Sequence, residues 1–319
     1  TSCDLDYNPV DSYSDVTEGV DKTDEKPIFN SVQDVETSMV TLHKKFRDQQ
    51  EHWYVDKLLI GDAHSDNAYA GTTGAEVVPY ETNSIEGSNS VLKRDWDRFL
   101  GDIAEANRII VGCEQLKALS DSERGKYQSQ AKIFRAMVMF DMVRLWGNFP
   151  VITTVGGDIT EDNVEEMYPT YFPPQNTAEE AYAQIEKDLT EAVENPNTPT
   201  NDASDKSILT KSVARAMLAK VYAEKPLRDY AKVIKYADEL AADGFDLVED
   251  FSDLWAYDTE KKDCRVRNTK EAILEAHFPP GSGNWCTWMF GRNLSNWDES
   301  FTWAKWITPS RDLIRLYEE

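Results

Sequence analysis

Positive charge is scarce in this chain: 34 Lys and Arg stand against 58 Asp and Glu, a formal net charge of −24 at pH 7. Such a field repels a phosphate backbone and an anionic membrane surface, so nucleic-acid binding is excluded. Cysteine is equally sparse, at Cys3, Cys113, Cys264 and Cys286, with no CxxC and no Cys/His pairing at zinc spacing. That excludes a disulfide framework and a zinc site of ordinary pattern. The four histidines, His43, His52, His64 and His277, show no ligand spacing, and the sequence carries no nucleophile elbow and no phosphate loop. No metal or cofactor is expected. No apolar run approaches the roughly 20 residues that span a bilayer as a helix, so any membrane attachment must be covalent or through a partner.

What the chain does have is core-forming material. Apolar residues make up 40% and aromatics 11% of its 319 residues, enough for a sizeable folded core. The strongest pattern is YQSQAKIFRAMVMFDMVRLWGNFP, from Tyr127 to Pro150. Ile133, Phe134, Met137, Val138, Asp141, Met142 and Leu145 recur at helical spacing, with Gln130, Lys132 and Arg144 elsewhere on the wheel, which predicts one core face. Ser120 and Glu123 read as a capping box, while Gly147 and Pro150 supply a stop, so a helix is predicted over about 121–146. Arg135 on it reads as the partner of a buried acid or carbonyl. A helix of this length suits an all-α array of paired helices.

Around it the chain divides simply. Residues 1–27 are acidic and poor in apolar residues, a tether or strap, and residues 28–319 form the helical domain. Ser31 and Asp34 open a first helix with Val32, Val35, Met39, Leu42 and Phe46 on one face. GDAHSDNAY, from Gly61 to Tyr69, has acids spaced somewhat like a calcium loop, but Asn67 stands where such a loop needs glycine, and turn capping is the simpler reading. Residues 71–90 are rich in Gly, Thr, Asn and Ser, with Tyr80 the only large aromatic, which predicts a long exposed loop. A helix follows with Trp96, Leu100, Ile103, Asn107 and Ile110 on one face, Asn107 being read as internally satisfied. Thr177 and Glu180 cap a further helix that ends at Asn195-Pro196, and residues 210–244 read as a helical hairpin broken at Pro226.

Candidate binding residues cluster late in the chain. GSGNWCTWMFGRNLSNWDESFTWAKW holds Trp285, Trp288, Trp297, Trp303 and Trp306, broken by Gly, Ser and Asn that make no continuous core face. Tryptophan in a loop offers a flat apolar surface with a polar edge, suited to stacking on a sugar ring or a peptide side chain. Arg292, Asn293, Asn296 and Asp298 lie near enough in sequence to supply hydrogen bonds. The bland alternative, that some of these rings pack under the loop and the polar residues cap turns, stands beside this one.

Several of these stretches resemble the SusD/RagB family of outer-membrane nutrient-binding lipoproteins. AKIFRAMVMFDMVRLWGNFPVI carries the match through Ala131, Arg135, Ala136, Phe140, Gly147 and Pro150. Gly61, Asp62, Ser65, Asp66 and Asn67, the spacing Trp96-Ile103-Ala106-Asn107, the run from Thr210 to Tyr222, and Pro309-Ser310 through Tyr317 add to it in the same order. The resemblance implies an all-α fold of tetratricopeptide-like helical pairs with long irregular loops, and favours an extended form for EAILEAHF at 271–278. It implies a surface-exposed lipoprotein of the bacterial outer membrane, anchored by lipid on Cys3, that captures a glycan and hands it to a SusC-like TonB-dependent transporter. It also implies a chain stopping before the family's C-terminal region. On this reading the ligand-binding residues are Trp285, Trp288, Trp297, Trp303, Arg292, Asn296, Asp298 and Tyr80, with no catalytic residue.

Three alternatives remain open on the sequence. Some family members bind peptides, and no residue decides between peptide and glycan. An all-α glycoside hydrolase would use two carboxylates across a cleft, but with 58 acids such pairs are uninformative. A helical scaffold that binds only protein would need its tryptophans buried.

Overall fold

The computed structural model describes residues 27–70, 75–157, 159, 161, 163–224, 226–280, 282 and 307–318. Six longer helices make its body: α1 (Val32–Asp48), α4 (Ser90–Gln115), α5 (Asp121–Trp146), α7 (Ala178–Glu194), α8 (Lys211–Ala223) and α9 (Tyr230–Ala242). Between them lie α2 (Asp56–Leu58), α3 (Val78–Glu81) and α6 (Val164–Tyr171), with α10 (Arg311–Glu318) last. The strands are short: β1 (Ala68–Ala70) pairs antiparallel with β4 (Ile307–Pro309), and β2 (Tyr257–Asp258) with β3 (Asp263–Cys264).

Helix ends follow the local chemistry of the sequence. Capping boxes open α1 at Ser31/Asp34, α5 at Ser120/Glu123 and α7 at Thr177/Glu180, each pairing an otherwise orphaned backbone donor in both directions. Gly147 closes α5 at φ +72°, a conformation that a side chain would strain. The α8–α9 hairpin forms as expected, and Gly244 takes φ +92° just beyond it. Residues 271–278 are neither helix nor strand, and the Glu275 amide donates to the Lys206 carbonyl at 2.8 Å.

Packing runs along the chain: α1 lies on α4 and α5, α4 on α5, α5 on α7, α7 on α8, and α8 on α9. The expectation of one core face for α5 needs correction. Buried positions run round the helix, including Ser129, Gln130 and Arg135. The helix is enclosed by neighbours on several sides, so its polar residues are buried with partners rather than turned to water.

One polar tie holds this core together. Arg135 donates through Nε and Nη2 to both Asp188 oxygens, at 2.8 and 2.6 Å, and through Nη1 to Asn107 Oδ1 at 2.7 Å. Asn107 Nδ2 donates in turn to the carbonyls of Ile152 and Thr154 at 2.9 and 3.3 Å. Burial pushes the Asp188 carboxyl above its ordinary range, opposed by the guanidinium that grips it. The network therefore pins α4, α5, α7 and the extended chain after α5 in one register.

Candidate functional site

Beyond Asp48 the helical path changes character. The π-helical stretches Glu51–Val55 and Leu59–Ala63 flank the single α turn of α2. A π turn widens the helix and shifts the angular order of its side chains, and such bulges recur at functional sites. Here the segment reaches two places. Trp53, Tyr54 and Lys57 line a cleft, whereas Leu59 and Ala63 enter a second small core with Ala68, Val77, Tyr80, Val91 and Ile307.

The cleft measures about 720 Å³ and is walled by Phe46, Trp53, Tyr54, Trp255 and Phe278. Phe46 and Trp53 pack with ring centroids 4.8 Å apart, and Lys57 Nζ sits 5.0 Å from the Trp53 ring centre while pairing with Asp141. Trp255 is 76% exposed, near Phe251 at 6.3 Å between centroids. A ring that large left open to water offers a stacking face. A second groove of about 630 Å³ shares Phe46 and Ala276 with the first and adds His43, Gln130, Glu275 and His277. His43 Nδ1 donates to the Met39 carbonyl at 2.9 Å, and burial holds the ring's pKa below its ordinary value, so the imidazole is neutral with a lone pair on Nε2. His277 pairs with Glu275 at 3.0 Å. Apolar ring faces with a few polar groups suit a neutral, hydroxylated or partly apolar ligand.

Buried charge supports the same segment from behind. Asp56 on α2 and Asp95 on α4 are almost wholly buried and face each other, with Arg94 paired to Asp56 and 3.7 Å from Asp95. Burial and the neighbouring Asp56 carboxylate push Asp95 up to about 9, so at neutral pH the pair holds a proton. Asp102, likewise buried, accepts from Lys45 Nζ and pairs with His52 Nε2, both at 2.8 Å. Sealed from solvent, these carboxyls cannot meet a substrate. Their role is to fix the π-helical segment against α1 and α4.

Most of the residues singled out in the sequence, Trp285, Trp288, Arg292, Asn296, Trp297, Asp298 and Trp303, lie outside the described residues, as does Cys3. The chain on either side of the tryptophan-rich stretch is informative. Before it, Phe278 lines the aromatic cleft. After it, Ile307 pairs with Ala70, so the chain leaving this stretch meets the chain entering the 71–90 stretch. Two stretches more than 200 residues apart in sequence are thus joined at one small sheet.

Tyr80 is where the reading of 71–90 as a long exposed loop changes. Residues 75–77 form a turn and 78–81 are α3, while 82–89 are turns and irregular chain, mostly exposed, before α4 begins at Ser90; Tyr80 is 1% exposed in the second core. Its hydroxyl donates to Asn89 Oδ1 at 3.3 Å, and the same oxygen accepts from the amides of Val91 and Leu92 to cap α4. Asn89 Nδ2 donates to the Glu76 carbonyl at 2.9 Å. Sequence reasoning did not single out Trp53, Tyr54 or Trp255 as one wall. Trp53 and Trp255 are separated by most of the chain, and no local pattern links them.

Comparison with known proteins agrees in one direction. A SusD-like family model, described as starch-binding associating with outer membrane, matches residues 11–223. A SusD-like protein of Bacteroides ovatus is 26% identical over 238 residues, covering 71% of this chain and 39% of that protein. The solved structure of a SusD superfamily protein from Bacteroides thetaiotaomicron superposes with a TM-score of 0.69 at 17% identity, over 90% of this chain and 61% of that one. Surface glycan-binding protein A from the same organism, solved with laminarihexaose, superposes at 0.57 with 16% identity, over 70% and 46%. The chain therefore spans less than two thirds of the length of these relatives, and the structural likenesses show the fold.

Proposed function

The chain belongs to the SusD-like family, and from that premise we propose that it is a glycan-binding protein of the outer-membrane surface which passes captured glycan to a TonB-dependent transporter. The observation that carries the reading is the aromatic cleft around Trp53, Tyr54 and Trp255, at the point where the tryptophan-rich stretch begins. Capture would rest on stacking of sugar rings on Trp255 and on tryptophans of 285–303, with hydrogen bonds from Arg292, Asn296 and Asp298. Release would follow contact with the transporter, with no bond broken. Lipid on Cys3, with the acidic residues 1–27 as tether, would hold the protein at the surface. Glycan binding by relatives such as the one solved with laminarihexaose supports this class of ligand.

The test is affinity electrophoresis and calorimetry with a panel of neutral polysaccharides. Trp255→Ala is expected to weaken binding about tenfold, the order of one lost aromatic contact, with the melting temperature nearly unchanged because the ring is exposed. A wild-type chain that binds no polysaccharide, or a Trp255→Ala chain that binds as well as wild type, would sink the cleft assignment. Mass spectrometry of membrane-extracted protein should find acyl chains on Cys3.

A further inference from the structure

Helix α6 has no buried residue. Val164, Tyr168 and Tyr171 recur at i, i+4 and i+7, which places them on one face, and Phe172 is the residue that caps the helix; the four are 44%, 58%, 45% and 65% exposed. An amphipathic helix ordinarily covers such a face. Here the rings are organised by the chain itself. Tyr168 and Phe172 stack with centroids 4.7 Å apart and planes 28° from parallel. The Tyr171 hydroxyl donates to the Gly157 carbonyl, and its ring lies so close to Gly156 that a Cβ there would fall 2.9 Å from Cζ. The backbone at 156–157 therefore holds this ring in place without a ligand, which lowers the ordering cost of binding.

Charge selects among occupants. From Leu145 to Glu186 the sequence has no Lys or Arg, and Glu161, Glu165 and Glu166 lie within a few residues of Tyr168 in the sequence. An anionic ligand such as a uronate-bearing or sulfated glycan is repelled, whereas a neutral sugar can lay its C–H face on a ring and donate hydroxyls to the carboxylates. The stacked pair is exposed and lines neither the apolar cleft nor the groove, so it suits a strand lying across it better than an inserted side chain.

We propose that the Tyr168–Phe172 stack on α6 is a second binding platform, separate from the cleft, for a neutral polysaccharide strand. The proposal rests on the glycan-binding reading above. Two platforms on one protein make the second contact intramolecular, so long chains gain affinity that short ones do not. The experiment compares the full chain with the double variant Tyr168→Ala/Phe172→Ala and with Trp255→Ala, using laminarin and amylose as polysaccharides and laminarihexaose and maltohexaose as short probes. The double variant should bind the preferred polysaccharide about tenfold more weakly with hexasaccharide affinity unchanged, while Trp255→Ala weakens both. Since nothing on α6 is buried, its melting temperature should match wild type. A double variant that binds polysaccharide like wild type while Trp255→Ala does not would remove the platform and leave the cleft standing. No glycan binding by wild type would remove both. Equal binding and equal loss with a polyuronate would overturn the neutral ligand class. Loss of binding to a polylysine peptide alone would mark a docking face for a basic protein and overturn the proposal.

Discussion

Two regions of this molecule bury charge in opposite ways. In the helical body, Asp188 meets the bidentate guanidinium of Arg135, and Asn107 takes up the remaining donor, so the buried ions match one for one. At the π-helical corner, Asp56 and Asp95 share Arg94, the neighbouring Arg98 is paired with Glu51, and the excess negative charge is relieved by a proton. The matched network fixes the register of long helices. The mismatched one holds a widened helix whose other side lines the cleft, and its stability depends on pH. A scaffold and the support of a site thus differ in how completely their buried polar groups are satisfied.

Removing a partner from the matched network should have the largest effect. Arg135→Ala leaves Asp188 buried and unpaired, and a loss of about 3–5 kcal/mol in chemical denaturation is expected. A loss under about 1 kcal/mol would show that the two regions are not different in this way.

The corner should answer to pH instead. Asp95 has a folded-state pKa raised above its unfolded value of roughly 4, so the folded protein holds a proton that the unfolded chain has released. Its contribution is fully present below about 4 and is lost as pH rises toward about 9, with a slope of at most about 1.4 kcal/mol per pH unit for one proton. The groups facing it are Asp56, Arg94, Arg98 and Tyr80. Asp95→Asn keeps the neutral form, so its stability should vary less than wild type between pH 5 and 9. Parallel pH profiles for the two proteins would refute the shared proton.

The smallest effect is expected at Tyr80→Phe, which keeps the second core filled and removes one hydrogen bond to Asn89. A loss of about 1 kcal/mol is expected in urea denaturation, with glycan affinity retained because the ring is enclosed. A loss of glycan affinity would return Tyr80 to the ligand site.

Local chemistry was the legible part of this protein. Ser120, Glu123 and Gly147 marked both ends of α5, because capping depends on residues a few positions apart. Arg135 reads as a partner for a buried acid or carbonyl, and the structure pairs it with the acid Asp188. The burial of Gln130 and Ser129 was not legible, since a wheel scores polar residues as exposed whether or not a neighbouring helix encloses them. The π turns left no mark either, because lengthening a hydrogen-bonded turn does not alter composition.

The sequence by itself determined an acidic all-α array, its main helix boundaries and its family resemblance, all set by short-range spacing and composition. Tertiary structure decided where Tyr80 belongs, that Trp53 and Trp255 share one cleft, and that Ala70 meets Ile307. Among the described residues it also left Tyr168 and Phe172 exposed. These are contacts between residues remote in sequence, or the lack of them, and they are fixed by which helix packs on which, a property that no local pattern encodes.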